Sequence, residues 1–231
     1  MGTLYIVATP IGNLQDITLR ALKTLESVDF IASEDTRTSA ILIKHYFKGR
    51  EKEILEKLFS YYEQNESQKI PEVLNLLENG KNVALISESG TPAVSDPGFK
   101  LIREVLNKGI KVESIPGPSS VISALVFSGL PTDKFIYLGF LPKKSGHREN
   151  LLKKLKNALL LIESTVIIFE SPFRVLKTLE ELHKVFGNID VVVVRELTKI
   201  HQDRVKDKIT NLIEHYKKGI KGEVIILFSL K

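Results

Sequence analysis

Runs of four to six apolar residues recur along the chain, each stopped by a cluster of Gly, Pro, Ser, Thr, Asn or Asp and then followed by an amphipathic stretch. That order reads as strand, loop, helix. Leu4-Tyr5-Ile6-Val7-Ala8 is the first such run. It ends in T-P-I-G-N (9–13), ahead of a helix that Asp16 is expected to cap and that shows Ile17, Ala21, Leu22 and Leu25 on one face. Strands are expected over 28–32, 58–61, 83–86 and 111–115. Helices are expected to run to about Phe47, around 73–77, from Phe99 through Ile102, Val105 and Leu106, and over 121–127. Continuous apolar strands of this kind are buried on both faces. The first 115 or so residues therefore predict an α/β domain with a mostly parallel sheet covered by helices on each side. G-L-P-T-D (129–133) interrupts the pattern, and the boundary between an N-terminal domain, 1–130, and a C-terminal α/β domain, 131–231, is expected there. The second half predicts strands over 135–140, 166–169, 191–194 and 224–228, with helices near 148–160, 173–186 and 210–217. Residues 201–209 show no clear period.

The stretch S-E-S-G-T-P-A-V-S-D-P-G (87–98) follows directly on Val83-Ala84-Leu85-Ile86 and organises the rest. In an open parallel sheet a loop at the carboxyl end of a strand lies where ligands bind. Gly90 and Gly98 permit close backbone approach or positive φ, and Pro92 and Pro97 stiffen the segment. A rigid turn with Asp96 as N-cap and Pro97 at the first helical position accounts for the last three residues but leaves 87–92 unexplained. Two further polar clusters stand at expected strand ends. In S-E-D-T-R (33–37) Glu34, Asp35 and Arg37 form either a helix start or polar groups aimed into a cleft. In P-G-P-S-S (116–120) the paired serines either cap the next helix or donate to a ligand at its N-terminus.

Composition narrows the picture. The chain of 231 residues is 43% apolar and 26% charged, as in ordinary globular proteins, and has room for two modest domains. It has no Cys, no cationic and apolar leader and no apolar run of membrane-spanning length, which points to a reducing cytosol and no membrane. Residues 1–130 hold 14 Lys and Arg against 16 Asp and Glu, whereas residues 131–231 hold 19 against 12. A second half of +7 suits a polyanionic partner, although a solvated lysine-rich surface gives the same count. K-K-S-G-H-R (143–148) reads as a mobile basic loop, most often simply solvated but suited to phosphate contacts. Neither G-x-x-x-x-G-K-[ST] nor G-x-G-x-x-G is present, which removes the signatures of a P-loop nucleotidase and a common dinucleotide site. The five histidines include no pair at helical ligand spacing, so no metal site is expected. Ser89, His201 and Asp96 make a hydrolase triad on paper only, since the G-x-S-x-G elbow is missing.

T-P-I-G-N, S-E-D-T-R, S-E-S-G-T-P-A-V-S-D-P-G, I-P-G-P-S-S (115–120) and F-E-S-P-F-R (169–174) occur in this order, followed by R-E-L-T-K (195–199) and G-E (222–223). Together these segments closely resemble the bacterial ribosomal RNA small subunit methyltransferase I family, end to end. The resemblance implies the tetrapyrrole methylase fold, two α/β domains with S-adenosylmethionine (AdoMet) in the cleft between them. It also implies methylation of the 2′-hydroxyl of a cytidine in the decoding centre of 16S rRNA in the small ribosomal subunit, and a homodimer. Carried over by position, it assigns Thr9, Pro10, Ile11, Ser89, Gly90, Thr91, Val94, Ser119, Ser120 and Glu170 to the cofactor pocket. The sequence departs from the family's usual wording at Ser33, Glu88, Ser89, Phe169 and Phe173. Phe173 stands where His is common, which excludes any mechanism needing a titratable ring there.

The implied reaction is an in-line displacement by a weak nucleophile, so alignment dominates and a base or a cation at the forming alkoxide adds to it. Glu34, Asp35 and Arg37 in the first domain and Lys199 in the second are the catalytic candidates, with a structural ion pair or an RNA-backbone contact as the competing reading of each. A small-molecule methylase on the same fold and a non-catalytic RNA-binding protein are the alternative functions. The first gains nothing from the basic half, and the second has no use for the loop at 87–98.

Overall fold

A computed structural model describes residues 1–230, which fall into two compact units that divide after Ser119. The first contains β1 (Thr3–Val7), a 3-10 turn (Leu14–Asp16), α1 (Leu19–Ser27), β2 (Phe30–Ser33), α2 (Thr36–Tyr46), α3 (Glu51–Leu55), β3 (Leu58–Ser60), α4 (Glu66–Glu78), β4 (Val83–Ile86), α5 (Phe99–Asn107) and β5 (Lys111–Ile115). Its five strands are all parallel, in the order β3-β2-β4-β1-β5. Because successive side chains on a strand point to opposite faces, Ala84 and Ile86 enter one core with Ala21, Leu25, Ile31 and Ile43. Val83 and Leu85 enter the other with Leu4, Leu77, Leu101 and Val105. All four residues of β4 are therefore apolar, and the sheet is covered on both sides as expected. Since β4 lies between β1 and β2, the segments leaving the carboxyl ends of these three strands emerge side by side.

The second unit contains α6 (Ser120–Ser128), β6 (Phe135–Phe140), α7 (Ser145–Leu161), β7 (Thr165–Glu170), α8 (Val175–Phe186), β8 (Asp190–Arg195), β9 (Asp203–Lys208), α9 (Ile209–His215) and β10 (Val224–Phe228). Its sheet order is β6-β7-β10-β8-β9, with β6 and β7 parallel and the other pairs antiparallel. Leu152, Leu155, Leu179, Ile168, Val193 and Phe228 belong to its core.

Several expectations change. The division lies at 119/120 rather than 130/131, because α6 packs on β8 and β10 and Arg204 on β9 donates to the carbonyl of Ser128 at the helix's end. Asp16 does not cap α1. It sits in the 3-10 turn capped by Asn13, and Thr18 caps the helix by accepting from the Ala21 N–H at 3.0 Å. Residues 203–208 are an edge strand whose charged side chains hide the strand period while guarding an open edge. The basic segment after β6 is largely ordered helix, starting at Ser145.

Candidate functional site

The loop at 87–98 is held in an uncommon backbone path. Gly90 and Gly98 take φ of 86° and 130°, and Ala93 and Ser95, which have side chains, both take 66°. Non-glycine residues in that region are strained, and such strain concentrates at functional sites. Thr9 and Gly90 exchange backbone hydrogen bonds, N–H to O, at 2.9 and 3.2 Å. The Ser87 hydroxyl donates to the Gly90 carbonyl at 3.3 Å and the Thr91 hydroxyl to the Pro118 carbonyl at 3.0 Å. An added Cβ at Gly90 would stand 3.1 Å from Ile11 Cγ2 and face the Pro118 carbonyl. The structure thus brings together the ends of β1, β4 and β5 around this loop. Thr9, Pro10 and Ile11 are buried beneath it, whereas Ser89 and Val94 are exposed on it.

Carboxylates gather beside the loop. Glu34, after β2, accepts from the Glu88 N–H at 3.2 Å. Burial, reinforced by Glu88, Asp35 and Glu63, outweighs that hydrogen bond and raises its pKa above the ordinary glutamate value. Asp96 is pushed up to about 7 by burial and then by the charge of Glu34, against a hydrogen bond with Ser87. Asp35 behaves oppositely. It caps α2 by accepting from the Arg37 N–H at 2.8 Å and pairs with the Arg37 guanidinium at 2.7 Å, which together with the backbone bond draws it down to about 2. Arg37 is otherwise exposed. The far end of the loop is fixed by Glu66, a buried carboxylate that accepts from the Gly98 N–H and the Tyr61 hydroxyl at 3.0 Å each and pairs with Lys100 at 3.0 Å. Asp96 does not cap α5; Gly98 holds that position, with no side-chain cap. Glu66, 32 residues upstream of Gly98, gave no local signal in the sequence.

In the second unit the R-E-L-T-K turn is strained as well, with φ of 49° at Glu196 and 65° at Thr198. Lys199 pairs with Glu196 and Glu223 at 3.2 Å each. Burial disfavours its charge, but those two carboxylates outweigh burial and hold its pKa above the usual lysine value, so it remains a cation. The Glu170 carboxylate is buried and used internally. It accepts from the Ser171 N–H (2.8 Å) and the Thr178 hydroxyl (2.6 Å) and pairs with Arg174 (3.2 Å). Ser119 and Ser120 lie partly exposed at the start of α6. No cluster of three or more His, Cys, Asp or Glu fit to hold a metal ion forms among the described residues.

Residues 3–213 match the family model described as Tetrapyrrole (Corrin/Porphyrin) Methylases. A relative from Thermotoga maritima named ribosomal RNA small subunit methyltransferase I is 44% identical, over the whole of both chains. Among solved structures, diphthine synthase superposes with a TM-score of 0.74 at 15% identity, over 99% of this chain and 90% of its own. Uroporphyrin-III C-methyl transferase from Thermus thermophilus, complexed with S-adenyl homocysteine, gives 0.65 at 17%, over 98% and 97%.

Proposed function

Since the chain belongs to the ribosomal RNA small subunit methyltransferase I family, within the tetrapyrrole methylases, we propose that it transfers a methyl group from AdoMet to the ribose 2′-oxygen of a cytidine in 16S rRNA. The observation that carries this reading is the strained loop at 87–98, pinned at both ends, with carboxylates beside it and an exposed hydroxyl and aliphatic side chain on it. That donor set fits AdoMet: the exposed Val94 offers apolar surface to an adenosyl group, Ser89 offers a hydroxyl, and the carboxyl groups of Glu34 and Asp96 offer polar oxygens beside the loop. AdoMet, when bound, supplies an electrophilic methyl group on a sulfur that leaves uncharged.

The chain's own work is to align the ribose and manage its proton. Glu34 is the proton acceptor in this reading, because its raised pKa makes it a better base near neutral pH. Asp35, locked onto Arg37 and drawn down to about 2, serves as the cap that sets Glu34 at the end of β2. Lys199, held cationic, stabilises developing negative charge and does not act as a base. Glu170 contributes by fixing the turn after β7, since its carboxylate is already satisfied. The same reading takes the small ribosomal subunit as substrate and the homodimer as the working form.

Incubation with labelled AdoMet and either small subunits or naked 16S rRNA, followed by nucleoside analysis, tests it. The expected product is 2′-O-methylcytidine at one position. Label on a base, or on no RNA while AdoMet still binds, would refute it. Glu34→Gln is expected to slow transfer by about 10²- to 10⁴-fold and Lys199→Gln by about 10²- to 10³-fold, each with AdoMet affinity nearly intact by calorimetry.

A further inference from the structure

The second unit carries an exposed aromatic surface outside the residues assigned above to methyl transfer. Phe140, the last residue of β6, is 57% exposed, and Phe173, three residues beyond β7, is 96% exposed. β6 and β7 are parallel neighbours with Phe140 opposite Phe169, so both exposed rings leave the carboxyl ends of adjacent strands. The backbone beneath them is clamped. Arg174 donates to the Leu141 carbonyl at 2.9 Å, which ties the turn after β7 to the segment after β6. Arg148, buried, donates to the Pro142 and Lys143 carbonyls at 3.1 and 3.0 Å and pairs with both carboxylate oxygens of Glu181. The Phe169 ring meets Phe140 and Tyr137 edge-on at 5.7 and 5.0 Å, which braces the first of the two exposed rings.

Lys143 and Lys144 leave the same clamped segment. Both are exposed, and neither has an ion-pair partner among the described residues, in contrast to Arg148, Arg174 and Lys199. An aromatic ring left in water forgoes the burial that phenylalanine normally gains. Flat apolar rings and free ammonium groups, presented on a rigid support, match an unpaired nucleotide strand, whose bases stack on aromatic faces while its phosphates pair with cations. A purely apolar protein partner would leave the two lysines with no counter-charge.

We propose that Phe173, with Phe140 at the end of the neighbouring strand β6, is a stacking platform for an unpaired base of the RNA, and that Lys143 and Lys144 hold the flanking phosphates. This rests on the rRNA reading above and adds the element that grips the strand. Phe173 touches so little of the fold that its replacement leaves folding intact. The chain has no tryptophan, so Phe173→Trp also introduces a single fluorophore at the platform.

The test uses a ten-nucleotide cytidine oligoribonucleotide, titrated into the full chain across a KCl series. Phe173→Trp is expected to retain affinity and to show emission quenched by RNA. Phe173→Ala should weaken binding about five- to hundredfold with an unchanged salt slope. Lys143→Gln with Lys144→Gln should reduce the slope by about 1.4, or about 0.7 for each lost phosphate contact. AdoMet affinity should be the same in all variants. Full RNA affinity in Phe173→Ala, or emission indifferent to RNA, would overturn the platform. Loss of self-association in Phe173→Ala on sedimentation, with RNA affinity intact, would overturn it in favour of a contact between copies of the chain. Absence of oligonucleotide binding by the unaltered protein would likewise overturn the platform, whereas absence of methyl transfer from AdoMet to small subunits would instead remove the rRNA reading on which it depends.

Discussion

Asp96 shows how one misplaced cap changes a residue's chemistry. A D-P-G triplet before an amphipathic run satisfies the rules for a helix start, so the sequence offers Asp96 as an N-cap. In the fold Gly98 takes the cap position and Asp96 turns toward Ser87, where burial and the neighbouring Glu34 push it up to about 7. The folded chain then binds the Asp96 proton more tightly than the unfolded chain does. Between the ordinary value of 3.8 and about 7 the native state holds more protons, so stability falls as pH rises through that window and levels off above it. Glu34, raised for the same principal reason, acts with the same sign. Asp96→Asn removes the largest part of this dependence. Urea midpoints are expected to fall from pH 5 to pH 8 in the unaltered protein and to stay nearly level in the variant, which should be the more stable of the two at pH 8 by an amount on the order of 1 kcal/mol. A parallel decline in both proteins would show that Asp96 is not the titrating group.

At the scale of elements, what could be read ahead was whatever depends on neighbours in sequence. β4, β5, β6 and β10 match their expected bounds because each is an apolar run ended by turn residues, and Gly90 stands out because a strand-end turn needs positive φ. What could not be read ahead depends on partners far along the chain. Arg148 looks like surface beside Lys143 and Lys144, yet it is buried against Glu181, 33 residues away. Glu66 looks like the polar start of α4, yet it anchors the loop at 87–98. Breaking such anchors leaves buried groups unpaired. Glu66→Ala strands the Gly98 N–H and the Tyr61 hydroxyl and should cost about 3 kcal/mol in urea unfolding, with faster hydrogen exchange at the Gly98 amide. Gly90→Val forces a β-branched residue to φ of 86° with its Cβ against Ile11, and should cost about 1–3 kcal/mol. In buffer where the variant stays folded, AdoMet affinity should still drop sharply. Unchanged calorimetric affinity there would detach the loop from cofactor binding.

For the molecule as a whole the charge asymmetry survives the shift of the boundary, because residues 120–130 carry no charge: 14 basic against 16 acidic residues lie in the first unit and 19 against 12 in the second. The fold decides which of those cations face outward. Arg148, Arg174 and Arg204 are spent on Glu181, Glu170 and the Ser128 carbonyl. They are therefore poor candidates for phosphate contacts, and Arg204→Gln should lower stability by loosening α6 without altering the salt slope of RNA binding. Arg195 is half-buried, and the second unit's other cations are lysines, which attract a phosphate backbone as point charges and read no base. A lysine-rich face and a stacking ring bind many single strands about equally well, so they cannot select one cytidine. On the proposed reading, selection comes from the shape of the RNA that presents an unstacked ribose to Glu34 and its neighbours. The expected outcome is that folded small subunits, or late precursors of them, are methylated many-fold faster than a short oligonucleotide of the same local sequence at equal concentration of sites. AdoMet affinity should stay flat across the KCl range that weakens RNA binding. Equal initial rates on the two substrates in a labelled-methyl assay would place the specificity in base contacts made by the chain and contradict this division of labour.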